Sequence, residues 1–279
     1  MTEAALSEDR SVAGPAANRP LGPGARDLIE GLWNWQLWSM LGWNDIQQRY
    51  RRSALGPFWI TISMAIFVVL LGVIYSKLFH QDIARFLPYV ATGLIVWNFI
   101  AGTTTEACSV FIENAGIIRQ IRLPYSIYAV RMVWRALIVF LHNVALIVPI
   151  GLLFHLDFGF ATLVVLPGLL FVILNQIWAA IVIGIVATRF RDITQLVATG
   201  IQILMFVTPI MWPVSAISDA KLIAEINPFY HLIELVRAPL LGQVTEPLSW
   251  VVVFAMCLGG YALAALLLSR AHQRLVYWL

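Results

Sequence analysis

The chain has 279 residues, is 60% hydrophobic and only 12% charged, with a mean hydropathy of +0.82. An ordinary soluble domain is roughly 45–50% apolar and about 25% charged, so this composition excludes a soluble globular protein and indicates an integral membrane protein. The formal net charge of +3 is too small to suggest a nucleic-acid binder, and the information lies in where the arginines sit.

Residues 1–23 are rich in Ala, Gly, Pro and charge. They lack the apolar run of about 7–15 residues that a signal peptide needs. They are predicted to form a disordered tail that stays in the cytoplasm. The stretch 24–55, "GARDLIEGLWNWQLWSMLGWNDIQQRYRRSAL", sets Leu28, Leu32, Trp35 and Trp38 near helical spacing and adds Trp33 and Trp43. It is too polar to span a bilayer. Tryptophan favours the membrane interface, and an amphipathic helix with basic residues lies in that plane. The expectation is a cytoplasmic interfacial helix; a soluble helix packed on a partner protein is the alternative.

Six stretches are apolar over the length of about 20 residues that a spanning helix requires: 57–79, 87–108, 127–154, 161–187, 194–212 and 248–269. The expected fold is therefore an all-α membrane protein with six transmembrane helices. Arg49, Arg51 and Arg52 precede the first span, Arg119, Arg122, Arg131 and Arg135 flank the start of the third, Arg189 and Arg191 follow the fourth, and Arg270 and Arg274 follow the sixth. The opposite loops hold only Lys77, Arg85, Lys221 and Arg237. The positive-inside rule then places both termini in the cytoplasm.

Between the second and third spans, "ENAGIIRQIRLPYS" combines apolar Ile117, Ile118 and Ile121 with Arg119 and Arg122, which are three residues apart and so share a helical face. Pro124 is expected to stop this short helix. Apolar and basic residues together on a stubby cytoplasmic helix suit a plug for a groove in another protein, or a lipid-facing amphipathic turn. A central Arg costs about 2.5–3.5 kcal/mol of insertion, so Arg131 and Arg135 are expected near the cytoplasmic headgroups, either snorkelling to phosphate or binding an anionic substrate. Glu106 is expected to pair with one of them. His142–Asn143 and Asn175–Gln176 suit hydrogen bonds between helices.

The segment 213–247 carries two short semi-apolar runs separated by Asn227–Pro228. Each is too short to cross. They are expected as re-entrant or outer-face helices between the fifth and sixth spans, or as a helical hairpin outside the bilayer. His231, Glu234 and Arg237 recur every three residues there, as a self-satisfied charged face or an outer gate. Trp97, Phe99, Trp178 and Trp212 are candidates to stack on sugar rings as well as to fill the core.

No G-x-x-x-x-G-K-[ST] phosphate loop, H-E-x-x-H pair or G-x-S-x-G elbow occurs. Cys108 and Cys257 lie in oily stretches and suggest neither a disulfide framework nor a metal site. An enzyme reading is weak. No internal repeat is visible, which favours one chain as half of a transport path.

Several segments together resemble the permeases of polysaccharide ABC exporters, in the type-2 ABC family. They are "WNDIQQRYRRSALGPFWI", "LPYVATGLIVWNFI", "NAGIIRQIRLPYSIY", "ATRFRDITQLV", "TPIMWPV" and "INPFYHLIELVRAPLLG", in order from about Leu28 onward. The resemblance implies that residues 24–279 form one transmembrane domain of a bacterial inner-membrane exporter of lipid-linked glycans such as O-antigen, capsule or teichoic acid. It implies a homodimer bound to two copies of a separate ATPase subunit, which would hold the ATP and magnesium, so that this chain needs no cofactor. Residues 115–123 would be the coupling helix, with Ile117, Ile118, Arg119, Ile121 and Arg122 facing the ATPase. Arg49, Arg51 and Arg52, with Arg131 and Arg135, would meet a polyprenyl pyrophosphate, to which arginine's planar fork is suited. A permease for a drug or small lipid and a membrane-embedded glycan-modifying transferase are the alternatives.

Overall fold

The computed structural model describes residues 22–51, 56, 58–156, 159–214, 220–272 and 274–279. The predicted tail, Arg52 and Pro57 therefore fall outside the described residues, except for the tail's last two positions. Every regular element among the described residues is helical.

Two helices come first, α1 (Pro23–Trp33) and α2 (Trp35–Tyr50), where a single interfacial helix was expected. The break is at Asn34, which leaves helical geometry at ψ 48° and turns its amide back to the Glu30 carbonyl at 2.6 Å. Asn competes with the backbone in this way and so interrupts helices. Helix α1 lies against α6 (Ser126–Val144) and α12 (Pro247–Ala271), and α2 lies along α6. Glycine permits the first contact. A Cβ at Gly24 would collide with the backbone of Ala265 and Ser269, and one at Gly31 with the Ser126 hydroxyl.

Five helical segments are long and apolar enough to cross a membrane: α3 (Phe58–Leu78), α4 (Ile83–Ala107), Ser126–Phe154, Thr162–Arg189 and α12. The expected fifth span, 194–212, supplies only α9 (Ile193–Val207). At 1.5 Å per residue its 15 residues reach about 22 Å, against about 30 Å of hydrocarbon. The cause is Pro209, which disfavours helical geometry in the residue before it; Thr208 is extended at φ −81°, ψ 134°.

The expected third span is likewise interrupted. Helix α6 ends at Val144 and α7 (Ile147–Phe154) follows after a turn at 145–146. Pro149 explains it, because its ring clashes with the carbonyl four residues back, that of Ala145. The short α5 (Ala115–Gln120) precedes α6. A 3₁₀ turn (Phe160–Val164) leads into α8 (Val165–Arg189). Past α9 come α10 (Ala220–Ile226) and α11 (Pro228–Leu240), and α13 (Leu275–Trp278) closes the chain. Asn227 caps α11 by accepting the Phe229 N–H at 2.9 Å, with Pro228 at the first helical position.

The core forms around α4, the most buried spanning helix, which packs against α3, α6, α8, α9 and α11. The outer faces of α3, α8 and α12 expose Ile66, Leu70, Leu166, Leu170, Val251 and Leu258. Soluble monomers rarely show apolar patches larger than a few hundred Å², so these faces are suited to lipid. The chain is a multi-pass membrane protein.

Candidate functional site

Between α2 and α6, at the end of α4, four charged side chains close on one another. Arg131 grips Asp45 with both prongs of its guanidinium: Nε donates to Oδ2 at 2.8 Å and Nη2 to Oδ1 at 2.5 Å. Arg135, one helical turn on, donates to Asp45 Oδ2 at 3.2 Å and pairs with Glu106. Arg131 also donates to the Asn114 side-chain oxygen at 3.3 Å. The two cations and two anions cancel. All four side chains are at most one-third exposed, which lifts the pairs above the typical surface bridge of about 0–1 kcal/mol. A cavity of about 180 Å³ lies beside them, lined by Glu106, Glu113, Asn114, Tyr128, Arg131 and Arg135.

The expected Glu106 pairing thus occurs with Arg135. Asp45 was missed. Its signal was the i,i+4 repeat of Arg131 and Arg135, two neighbouring cations that needed more than one carboxylate. Arg49, a turn beyond Asp45, and Arg51 are exposed, with no ion-pair partner among the described residues.

A second arrangement ties α1 to the start of α6. Asp27 is 5% exposed, and its carboxylate accepts the backbone N–H groups of Tyr125 at 2.8 Å and Ser126 at 2.9 Å. The Ser126 hydroxyl returns a bond to the Asp27 carbonyl at 2.6 Å. The first N–H groups of a helix have no partner within it, and its N-terminus favours negative charge, so a carboxylate from another helix caps α6. Burial pushes the Asp27 carboxyl above its usual value, and the bonds from Ser126 and Tyr125 offset only part of that rise.

Helix α5 is held just before that capped terminus. It is shorter than expected: Ile121 is already extended, so Arg122 lies beyond the helix and does not share a helical face with Arg119. Ile117 is 41% and Ile121 54% exposed, and Arg119 and Arg122 are exposed. Ile118 turns inward at 7%.

At the opposite end, the three α11 residues are engaged within the chain. Arg237 is 1% exposed. It pairs with Glu234 through Nε at 2.9 Å and through Nη2, donates to the Pro209 carbonyl at 2.7 Å, and lies over the Tyr89 ring at 4.1 Å. His231 bonds the Ser249 hydroxyl and the Glu225 carbonyl, each at 2.9 Å. The turn after α9 is thus fixed by Arg237, by the Tyr89 hydroxyl donating to Pro209 O at 3.1 Å, and by Asn227 on Thr208 at 2.9 Å.

Of the candidate aromatics, Trp97 and Phe99 lie in the core at 3% and 4% exposure, against Phe229 and Phe140. Trp178 lies on Gly260 of α12 and bonds Asn175 at 2.9 Å. Trp212 bonds the Phe206 carbonyl at 3.0 Å. In this conformation Trp97 and Phe99 therefore present no face to a passing sugar. Among the described residues no group of His, Cys, Asp and Glu could hold a metal ion.

The described residues form an all-helical, multi-span membrane protein. The chain matches the ABC-2 type transporter family over residues 36–241 and is a member of that family. It is 25% identical over 195 residues to the O-antigen export system permease protein RfbA of Klebsiella pneumoniae, which covers 68% of this chain and 74% of that protein. It is 24% identical over 206 residues to the protein of the same name from Myxococcus xanthus, covering 70% and 76%.

Proposed function

We propose that this chain is the membrane half of an exporter carrying a polyprenyl-pyrophosphate-linked polysaccharide, O-antigen foremost, across a bacterial inner membrane. In this reading it crosses six times, with α9 and the turn after it forming the fifth crossing, and both termini are cytoplasmic. Two copies form the path, and two ATPase subunits supply the ATP site with its magnesium. The likeness to O-antigen export permeases supports the cargo. The observation that carries the mechanism is α5, with Ile117, Ile121, Arg119 and Arg122 at the surface and anchored beside the Asp27-capped start of α6.

A short element fixed to a rigid span transmits displacement instead of absorbing it. ATP binding closes the partner subunits, α5 is carried with them, α6 follows through residues 121–125 that join the two helices, and α1 follows α6 through the Asp27 cap. Only differential binding of ATP to the closed state drives the change. The exposed Arg49 and Arg51, continued by Arg52, meet the pyrophosphate, since charge-assisted forks to phosphate are roughly twice as strong as neutral hydrogen bonds. Arg131 and Arg135 join only by releasing Asp45 and Glu106. His231, Glu234 and Arg237 hold the outer end closed.

Reversing the charge at both Arg119 and Arg122 (R119E/R122E) tests the coupling. The expected result is loss of ATPase co-purification and of stimulated ATPase activity with membrane level unchanged. Full complex with full stimulated activity would falsify it.

A further inference from the structure

The cavity beside the α2–α6 ion pairs is lined by groups that those pairs leave unused. Its volume is about 180 Å³, roughly that of six waters at about 30 Å³ each. Glu106 comes from α4, Glu113 and Asn114 from the turns that follow it, and Tyr128, Arg131 and Arg135 from α6. Both guanidinium groups are engaged. Arg131 gives Nε and Nη2 to Asp45 and Nη1 to Asn114, while Arg135 gives Nη1 to Asp45 and Nη2 to Glu106. Asn114 is engaged too, since its oxygen accepts from Arg131 and its amide donates to the Val110 carbonyl at 2.7 Å.

Three acceptors remain open. Glu106 uses one carboxylate oxygen on Arg135, and the other accepts no hydrogen bond among the described residues. Glu113 accepts only the Ser109 hydroxyl, at 2.6 Å, and has no ion-pair partner among the described residues. Tyr128 is 2% exposed, yet its hydroxyl finds no partner among them. Buried hydroxyls are otherwise bonded to protein or to something held beside them. The charges are also uneven. The carboxylates of Glu106, Glu113 and Asp45 stand against the guanidinium groups of Arg131 and Arg135, an excess of one anion. Arg49 of α2 is near enough to act on Arg135 but does not line the cavity.

We propose that this cavity binds a primary ammonium group, held by Glu106, Glu113 and the Tyr128 hydroxyl. An ammonium has three N–H donors and no acceptor. It matches the three open acceptors, and its charge cancels the excess carboxylate. Hydrogen bonds to an ionised partner are shorter than neutral ones and roughly twice as strong. Phosphate finds no free guanidinium fork in the cavity, so the site selects against the anion that Arg49 and Arg51 are proposed to meet. A quaternary ammonium has the charge but no N–H and is disfavoured. The chemistry fits a small soluble amine or the ethanolamine headgroup of a phospholipid. Bound there, the ammonium links the end of α4 to α6. The site does not depend on what the permease exports.

The test uses the full-length chain in detergent at constant chloride. Ethanolamine hydrochloride is titrated while the unfolding temperature is followed, with choline chloride as the control; a ligand that binds only the folded state raises that temperature. Ethanolamine is expected to stabilise wild type saturably, and choline to bind at least about tenfold more weakly. E113Q should weaken ethanolamine binding at least about tenfold, through loss of a charged hydrogen bond, and Y128F about threefold, through loss of a neutral one. Y128F removes only a hydroxyl without a partner, so it should fold as well as wild type. A second arm distinguishes the source of the amine. The chain is placed in nanodiscs of phosphatidylglycerol mixed with phosphatidylethanolamine or with phosphatidylcholine, and the lipids that it retains are identified by mass spectrometry. Phosphatidylethanolamine retained by wild type and lost in E113Q assigns the headgroup. Ethanolamine stabilisation without selective lipid retention assigns a soluble amine. Equal stabilisation by choline and ethanolamine, or ethanolamine binding unchanged in either variant, overturns the inference. So does the absence of any ethanolamine effect together with no selective lipid retention, which leaves water as the occupant. If E113Q does not accumulate, Y128F and the wild-type comparison with choline decide.

Discussion

Replacing Arg237 with methionine preserves the stem and removes a guanidinium that is 1% exposed. The substitution leaves Glu234, only 18% exposed, without its partner, and takes a donor from the Pro209 carbonyl. Breaking one side of a buried pair costs about 3–5 kcal/mol, mostly as the penalty on the charge left behind. At about 2–4 °C per kcal/mol for a chain near this size, the unfolding temperature should fall by roughly 6–20 °C. The assay is thermal unfolding in detergent of wild type, R237M, E234Q and the double variant. E234Q in the R237M background removes the stranded charge, so the double variant should regain more than about 1 kcal/mol over R237M. An R237M loss below about 1 kcal/mol, or a strictly additive cycle, would refute the argument that this pair fixes the turn after α9.

Asp45→Ala should cost about 1.5–3 kcal/mol through the lost charged hydrogen bonds of Arg131 and Arg135, read as a lower unfolding temperature. Arg131→Lys should be nearly as damaging, because an ammonium cannot reproduce the fork. Gly31→Ala should destabilise by about 1–3 kcal/mol through its collision with Ser126 and expose α1 to protease. Asp27 predicts a pH dependence. Its carboxyl titrates above 3.8 in the folded chain, so the folded state holds the extra proton. The favourable contribution is complete below 3.8 and is lost as pH rises through the raised folded value. The stability of wild type relative to Asp27→Asn should therefore decline as pH rises from 3.8; a difference that stays flat or grows would contradict the burial of that carboxylate.

Individual residues show how far the sequence could be read. Pro149 and Pro209 were in plain view, and each broke a helix where backbone sterics require; hydropathy, averaging over about 20 residues, passed over both. Glu106 was legible because it is an anion in an apolar run near two arginines. Asp45 sits in a polar stretch where a carboxylate needs no explanation, and its partners lie 86 and 90 residues away. Asp27 was hidden in the same way, capping a helix 98 residues on.

The sequence by itself determined the solvent and the class. A helix must satisfy its own backbone in lipid, so long apolar runs define spans. Only the tertiary structure decided which polar side chains are already matched. It buried Arg237 against Glu234, spent Arg131 and Arg135 on Asp45 and Glu106, and left Gln195, Thr199 and Gln202 facing outward. Hydropathy is a local sum along the chain, whereas the pairing of charges and the facing of a helix depend on what packs beside it.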